Sequence, residues 1–342
     1  MRALKFSKHE DYWPSLINNV LTLRPDLDYI DWPQLLEYIN QYQDLSRSVY
    51  RRLVVNATVD PFDPRLVVKQ LKQAGILGRC IVLSSDPDFV DSSVDHRYFP
   101  FYFIKQISKL RVDKSEFNWN KRTGFFSCLS RSLRPHRILA YYLCRSQLDN
   151  NNSMLSFAGL LPYQQHQPAD INEIINRARE WQIYTPELES FYRTIMPELP
   201  ISADIGNDWG YHNYYNESAS PFRDCYAHWA LETQFDIVQL GEKTTKPLRA
   251  GNLIIMLGYA NAVKNIERMG FDLQYFDHSY DQLRYWVART EQGFKLIKEN
   301  YDLFPEIWHS NITRLKYNSE LFLTKQLLNH CIDQVRDLFY VS

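Results

Sequence analysis

Two short stretches gather the cations, carboxylates and hydroxyls that phosphate chemistry needs. In Ser127–Leu139, the side chains of Arg131, Arg134, His136 and Arg137 crowd around Pro135. Proline suits the first position of a helix, because its missing N–H would be unpaired there anyway. Cations at a helix start are opposed by the macrodipole. An anion reverses that balance, since free helix N–H groups and arginine forks both bind phosphate. Without an anion, acidic neighbours would have to compensate the arginines in a structural network. In Gly241–Asn252, Glu242 and Lys243 open a second short helix after a strand-like run ending near Glu232. Alone, that pair reads as a cap in which the acid satisfies free backbone N–H groups. Taken together, two helix starts on one crevice could hold both charges of a nucleotide diphosphate and leave the acid for ribose hydroxyls.

An acceptor-side base would be a carboxylate. Ser84–Asp88 follows the apolar run Cys80–Leu83, where an open α/β sheet places ligand contacts, so Asp86 and Asp88 are the candidates. Asp and Pro after a strand also make an ordinary turn, and the Asp-x-Asp spacing could hold a divalent metal beside phosphates. The segment Asn207–Tyr215 sets four aromatics among polar residues. It reads either as a lid that stacks on a sugar or base or as a loop folded back on its own domain. His212 and His228 lack metal-ligand spacing and read as structural.

The order Glu232–Thr233, Glu242–Lys243, Gly251 and the apolar Leu253–Leu257 resembles the donor-binding half of fucosyltransferase-like glycosyltransferases. Ser127–Leu143, with a late arginine before an apolar helix face, is similar to the same family. Uncharacterised phage and algal-virus proteins show a like arrangement joined to Gly-Phe and Phe-Asp pairs, here Gly270–Phe271 and Phe276–Asp277, followed by Ser279–Asp281. The resemblance covers about Ser127 to Asp281 and departs in having Gly241 where Thr precedes the Glu-Lys pair. It implies a GT-B-like α/β architecture, two Rossmann-like domains facing across a cleft, with additional helices at both termini. It further implies a nucleotide-sugar donor as substrate, with no separate cofactor and no metal. By position, Glu242 would bind the donor ribose, and Lys243 and Arg137 the diphosphate; Arg131, Arg134 and Glu232 complete the donor-side set.

The elements that must position these groups follow a strand–helix rhythm. Apolar runs at Leu53–Val55, Cys80–Leu83 and Tyr98–Ile104 predict strands, with a helix over Pro64–Gln73 closed by Gly75. Asp31 and Pro33 predict an earlier helix start, and polar Val112–Gly124 a linker. Beyond it, strands are expected at Phe125–Leu129, Met154–Ala158, Ala227–Leu231 and Leu253–Leu257. Helices are expected at Pro135–Ser146, Asp170–Trp181, after Glu242, and at Ala262–Met269. Glu320–Phe339 has helical apolar spacing. The expected domains are therefore residues 1–120 on the acceptor side and 121–317 on the donor side. A terminal helix at 318–342 would return to the first of them.

Composition bounds the partners. At 342 residues and 45% hydrophobic, the chain can bury substantial cores, which excludes a wholly disordered protein. With 39 Lys plus Arg against 40 Asp plus Glu, wholesale coating of nucleic acid is disfavoured. A nucleic-acid acceptor stays open as a phage-type DNA glycosyltransferase, given Arg47, Arg51 and Arg52. A non-catalytic nucleotide-sugar-binding module is the third reading; a glycan or other hydroxyl acceptor goes with the first. The five cysteines form no CxxC pair, so reduced buried thiols are expected. The charged opening MRALKFSKHEDYW lacks the apolar stretch of a signal peptide, and no run approaches a membrane span, so a cytoplasmic location is expected.

Overall fold

The computed structural model describes residues 21–23, 27–41, 52–58, 62–101, 103–104, 119, 122–148, 151–160, 169–199, 220–235 and 237–341. The aromatic stretch at 207–215 with His212, the arginines Arg47 and Arg51, and most of the expected linker lie outside them. The chain divides into two compact units. One comprises Met1–Asp113, Ile237–Gly241 and Phe322–Ser342; the other comprises Lys114–Asp236 and Glu242–Leu321.

The first unit opens with β1 (Leu21–Leu23), β2 (Asp28–Asp31), α1 (Trp32–Gln41), β3 (Leu53–Asn56) and α2 (Pro64–Gln73). It continues with β4 (Cys80–Ser84) and β5 (Asp95–Tyr98). The second unit holds β6 (Gly124–Ser132), α3 (Pro135–Gln147), β7 (Ser153–Leu160), α4 (Ile171–Glu180) and α5 (Pro186–Ile195). Then come α6 (Ser220–Asp224), β8 (Cys225–Leu231), α7 (Glu242–Arg249), β9 (Leu253–Leu257) and α8 (Ala262–Arg268). It ends with α9 (Trp286–Asn300), α10 (Phe304–Ser310) and α11 (Ile312–Leu321). The chain returns to the first unit with α12 (Lys325–Ile332) and β10 (Phe339–Val341), which pairs antiparallel with β1.

Each unit is built on a four-stranded parallel sheet. In the first the order is β2-β3-β4-β5, the order of the chain itself. Leu53, Val55, Cys80 and Val82 bury one face with Leu35 of α1 and Val67 and Leu71 of α2. Val54, Ile81 and Leu83, on the alternate positions, are buried as well. Strands covered on both faces read as continuous apolar runs, which is why β3 and β4 are visible in the sequence. Helix α2 is well punctuated: Asp63 Oδ1 accepts from Arg65 N at 2.9 Å, Pro64 sits in the first turn, and Gly75 takes φ 70° beyond the end. That left-handed backbone is the one a glycine reaches without a Cβ penalty.

The second sheet is ordered β7-β6-β8-β9, again all parallel. Here the chain reverses: from β6 it moves outward to β7, then crosses back to lay β8 on the other side of β6. Phe126 and Cys128 of β6, Trp229 and Leu231 of β8, and Ile255 and Leu257 of β9 share one core with Ile138 of α3 and Phe294 and Ile297 of α9. The β6–β7 register shifts after Ser130↔Phe157, so that Ser132 pairs with Leu160. The extra residue belongs to β7, where Gly159 turns to φ 62°.

Two expected elements differ. Tyr98–Ile104 is not one strand: β5 spans Asp95–Tyr98, and Phe101, Phe103 and Ile104 are helical. Pro100 cannot donate to a ladder, while its carbonyl accepts from Ile104 N at 2.9 Å and begins a helical turn. The terminal Glu320–Phe339 is not a single helix either. Thr324 caps α12 by accepting from Leu327 N, and a 3-10 stretch at Asp333–Leu338 leads into β10. Helices α5 and α9 to α11 had no counterpart in the sequence reading. Among the described residues no helix is long and apolar enough to cross a membrane.

Gly159→Ala would force a Cβ into the left-handed region, 3.4 Å from the Leu199 side chain. The expected loss is about 1–2 kcal/mol, seen as a lower urea midpoint with an unchanged slope; an unchanged midpoint would show that the bulge is not fixed by this backbone.

Candidate functional site

In an open parallel sheet the ligand crevice lies at the carboxyl ends of the strands where the winding reverses. In the second unit that point is between β6 and β8. The residues there come from the β6–α3 junction and from the segment joining β8 to α7.

Arg134 precedes α3 with extended backbone (φ −141°, ψ 154°), and its carbonyl accepts from Arg137 N at 3.1 Å and Ile138 N at 3.0 Å. Arg137, one turn in, is only 1% exposed. Its Nη1 donates to Ser132 Oγ at 2.7 Å, and its Nη2 reaches the carbonyls of Leu231 and Glu232, each at 3.3 Å. His136 is fully buried, with Nε2 at 2.8 Å from the Glu232 carbonyl. A carbonyl only accepts, so Nε2 carries the proton. Burial first, and then the Arg137 charge, hold this imidazole far below its usual pKa, so the ring is neutral. The first turn of α3 therefore closes the end of β8. Arg131 is the penultimate residue of the strand β6.

The side chain of Glu232 points to α7: its Oε1 accepts from the Thr244 hydroxyl, while its backbone N donates to Leu257 O at 2.8 Å. Both residues are buried. Lys243 donates to Thr233 Oγ1 at 3.3 Å and pairs with its neighbour Glu242. These two side chains are 19% and 12% exposed, making them the accessible charged pair at this edge. The structure thus brings Arg137 and Lys243 to one strand end, Leu231–Thr233. Arg137 is committed to backbone and hydroxyl acceptors there, and Lys243 to a carboxylate and a hydroxyl.

Arg289 of α9 braces the next strand end. It is fully buried; Nε and Nη2 donate to Gly258 O at 3.0 and 2.7 Å, and Nη2 also reaches Phe235 O at 2.7 Å. Asp281 lies beside it, accepting from Val263 N at 2.8 Å through Oδ2 and 2% exposed. Among the described residues no donor reaches its Oδ1. Burial raises its pKa to about 7, against the pull of the Val263 N–H and the Arg289 charge. Arg289, Thr244 and Ser132 were not singled out in the sequence. Arg289 meets distant backbone carbonyls, Thr244 a buried carboxylate 12 residues away and Ser132 the buried Arg137 guanidinium, pairings that residue spacing does not reveal.

In the first unit, Asp86 and Asp88 follow β4. Asp86 Oδ1 accepts from Asp88 N at 2.9 Å, an Asx turn, and Asp86 N donates to Ser84 Oγ at 3.2 Å. Asp86 is partly buried and Asp88 exposed. Burial raises the Asp86 carboxyl above its usual range, with the Asp88 N–H and Arg65 pulling the other way. Ser84 Oγ also meets His96 Nε2 at 2.7 Å, and burial lowers that histidine to about 4.

His228 bonds Ser127 Oγ through Nδ1 at 2.8 Å, fully inside the sheet, and burial lowers it to about 3, so it is a structural histidine. Arg52 pairs with Asp95 at 2.5 Å. Among the described residues no group of three or more His, Cys, Asp or Glu side chains gathers as a metal site would. All five cysteines are free and buried. Comparison of the chain with protein-family models, curated proteins and solved structures finds no match in any of the three.

Two outcomes follow. Arg137→Ala removes charge-assisted bonds to two strand-end carbonyls and a hydroxyl. It should destabilise the protein by on the order of 3 kcal/mol, read by chemical denaturation; a loss below about 1 kcal/mol would refute the stitching role. Asp281 binds its proton more tightly folded than unfolded, because its pKa rises from 3.8 to about 7. The stability this gives is complete below the unfolded value and is lost as pH climbs through the folded one. Asp281→Asn should therefore gain stability relative to wild type across that window, and a flat difference would contradict it.

Proposed function

We propose that the chain is a glycosyltransferase that moves a sugar from a nucleotide-sugar donor to an acceptor hydroxyl. The second unit takes the donor and the first supplies the acceptor-side base, in the manner of a GT-B enzyme. The observation carrying this reading is the convergence of Arg134, Arg137, Glu242 and Lys243, with the starts of α3 and α7, on the winding reversal between β6 and β8.

The roles follow from burial. Arg137 fixes the strand end and contributes a fixed positive field, since both of its Nη nitrogens already have acceptors. Lys243 is the cation able to exchange partners: a diphosphate competes with Glu242 for its ammonium, and the released carboxylate is free for ribose hydroxyls. Arg134, partly exposed at the head of α3, adds a second contact. As the glycosidic bond to the leaving phosphate breaks, negative charge grows on the diphosphate oxygens, and preorganised cations and helix N–H groups stabilise it there. Asp86 takes the acceptor's proton, and its raised pKa makes it a stronger base than an ordinary surface aspartate.

Titration calorimetry with a panel of nucleoside diphosphates tests the donor side. Lys243→Ala should weaken binding at least about tenfold with little change in thermal midpoint, because the side chain is partly exposed. Asp86→Asn should leave nucleotide affinity intact and cut turnover by about 100-fold or more. If the folded protein binds none of the diphosphates, the reading fails.

A further inference from the structure

We infer that Phe235 and Trp286 form a seat for the planar base of the nucleotide, beside the anion-binding end of β8. This rests on the donor-binding reading above and adds to it the part of the ligand that no charged residue can hold.

Phe235 lies two residues beyond Thr233, the hydroxyl that Lys243 contacts. Its ring centroid is 5.3 Å from that of His136, inclined at 57°, and 5.2 Å from that of Trp286, inclined at 47°. His136 is in turn bonded to Glu232 O and adjoins Arg137. The aromatic group and the cation cluster are thus connected through one residue. Such adjacency suits a ligand whose ring and phosphates are joined by a single sugar.

The seat is held in place without being buried. Arg289 fixes the Phe235 carbonyl at 2.7 Å with the guanidinium that also grips Gly258 O, so the backbone beneath the ring is anchored to β9. Trp286 begins α9, and its carbonyl accepts from the Thr290 hydroxyl at 2.8 Å. Yet both rings stay partly exposed, whereas Trp229 and Trp308 of the same unit are 0% exposed. Leu283 and Tyr285, just before Trp286, are 37% and 57% exposed. An apolar surface on rigid backbone next to cations is what base stacking requires. Aromatic faces accept any base, and their edges and planes bind by stacking.

The test is calorimetry on the full chain with inorganic pyrophosphate, UDP, GDP and ADP as probes, for wild type, Phe235→Ala, Trp286→Ala and the conservative Phe235→Leu and Trp286→Phe. At least one nucleoside diphosphate should bind wild type about tenfold or more tighter than pyrophosphate. Each alanine variant should lose about that factor for the nucleotide and keep the pyrophosphate affinity, while Trp286→Phe retains most of both. Pyrophosphate bound as tightly as every nucleotide overturns the seat and leaves the anion site standing. Equal weakening of both probes in the alanine variants also overturns it, since the effect would then be on the fold. Wild type binding neither probe overturns both readings together.

Discussion

The second unit depends on how the central strand β8 ends. Its last carbonyls, on Leu231 and Glu232, point into the interior, where an unpaired acceptor is costly. No strand continues there to satisfy them. Donors come instead from the first turn of α3: Arg137 Nη2 reaches both carbonyls, and His136 Nε2 reaches that of Glu232. This requirement seats the β6–α3 junction over the end of β8. Glu232 then spans to α7 through Thr244, Lys243 to Thr233, and Arg289 ties the Phe235 loop to the end of β9. Among the described residues, these connections at the strand ends are held by side chain–backbone and side chain–side chain bonds.

The same bonds shape the electrostatics. Arg137 and Arg289 are buried and donate to carbonyl and hydroxyl acceptors, with Asp281 beside Arg289, so dipoles solvate much of their charge. A cation solvated largely by dipoles keeps part of its long-range field, and in a water-poor interior that field is weakly screened. It also suppresses protonation of His136, whose neutral ring can then lie against Phe235. Lys243 differs in having Glu242 as its partner and partial access to solvent. A scaffold charge and an exchangeable charge thus sit at one strand end, in the division of labour that anion binding favours.

Much of this was legible in the sequence and some was not, for reasons particular residues make plain. Continuous apolar runs exposed β4, β8 and β9, because parallel strands are covered on both faces. Pro135 and Gly75 marked helix ends through their own backbone chemistry. Polar β5, Asp-His-Arg-Tyr, carries no apolar signal, and the aromatic run after it imitates a strand although Pro100 starts a helical turn there. The arginine cluster at α3 was visible, but the burial of Arg137 was not. Its acceptors stand 94 and 95 residues away and are backbone carbonyls, which any residue carries. The clamp by Arg289 is hidden for the same reason: one buried arginine in an amphipathic helix looks like any exposed one until the chain folds.

The two sheets differ in how they wind at their carboxyl ends. In the first, the strands succeed one another in chain order, so the winding does not reverse among them. The carboxyl edge of that sheet is occupied by its own polar network, with Asn56 reaching both Tyr29 and Asp31, and Thr58 closing on Asn56. After β4 of the same unit, Asp86 is turned by accepting from Asp88 N, and burial raises its carboxyl above the usual range. In the second unit the order reverses between β6 and β8, and the first turn of α3 meets the end of β8 there.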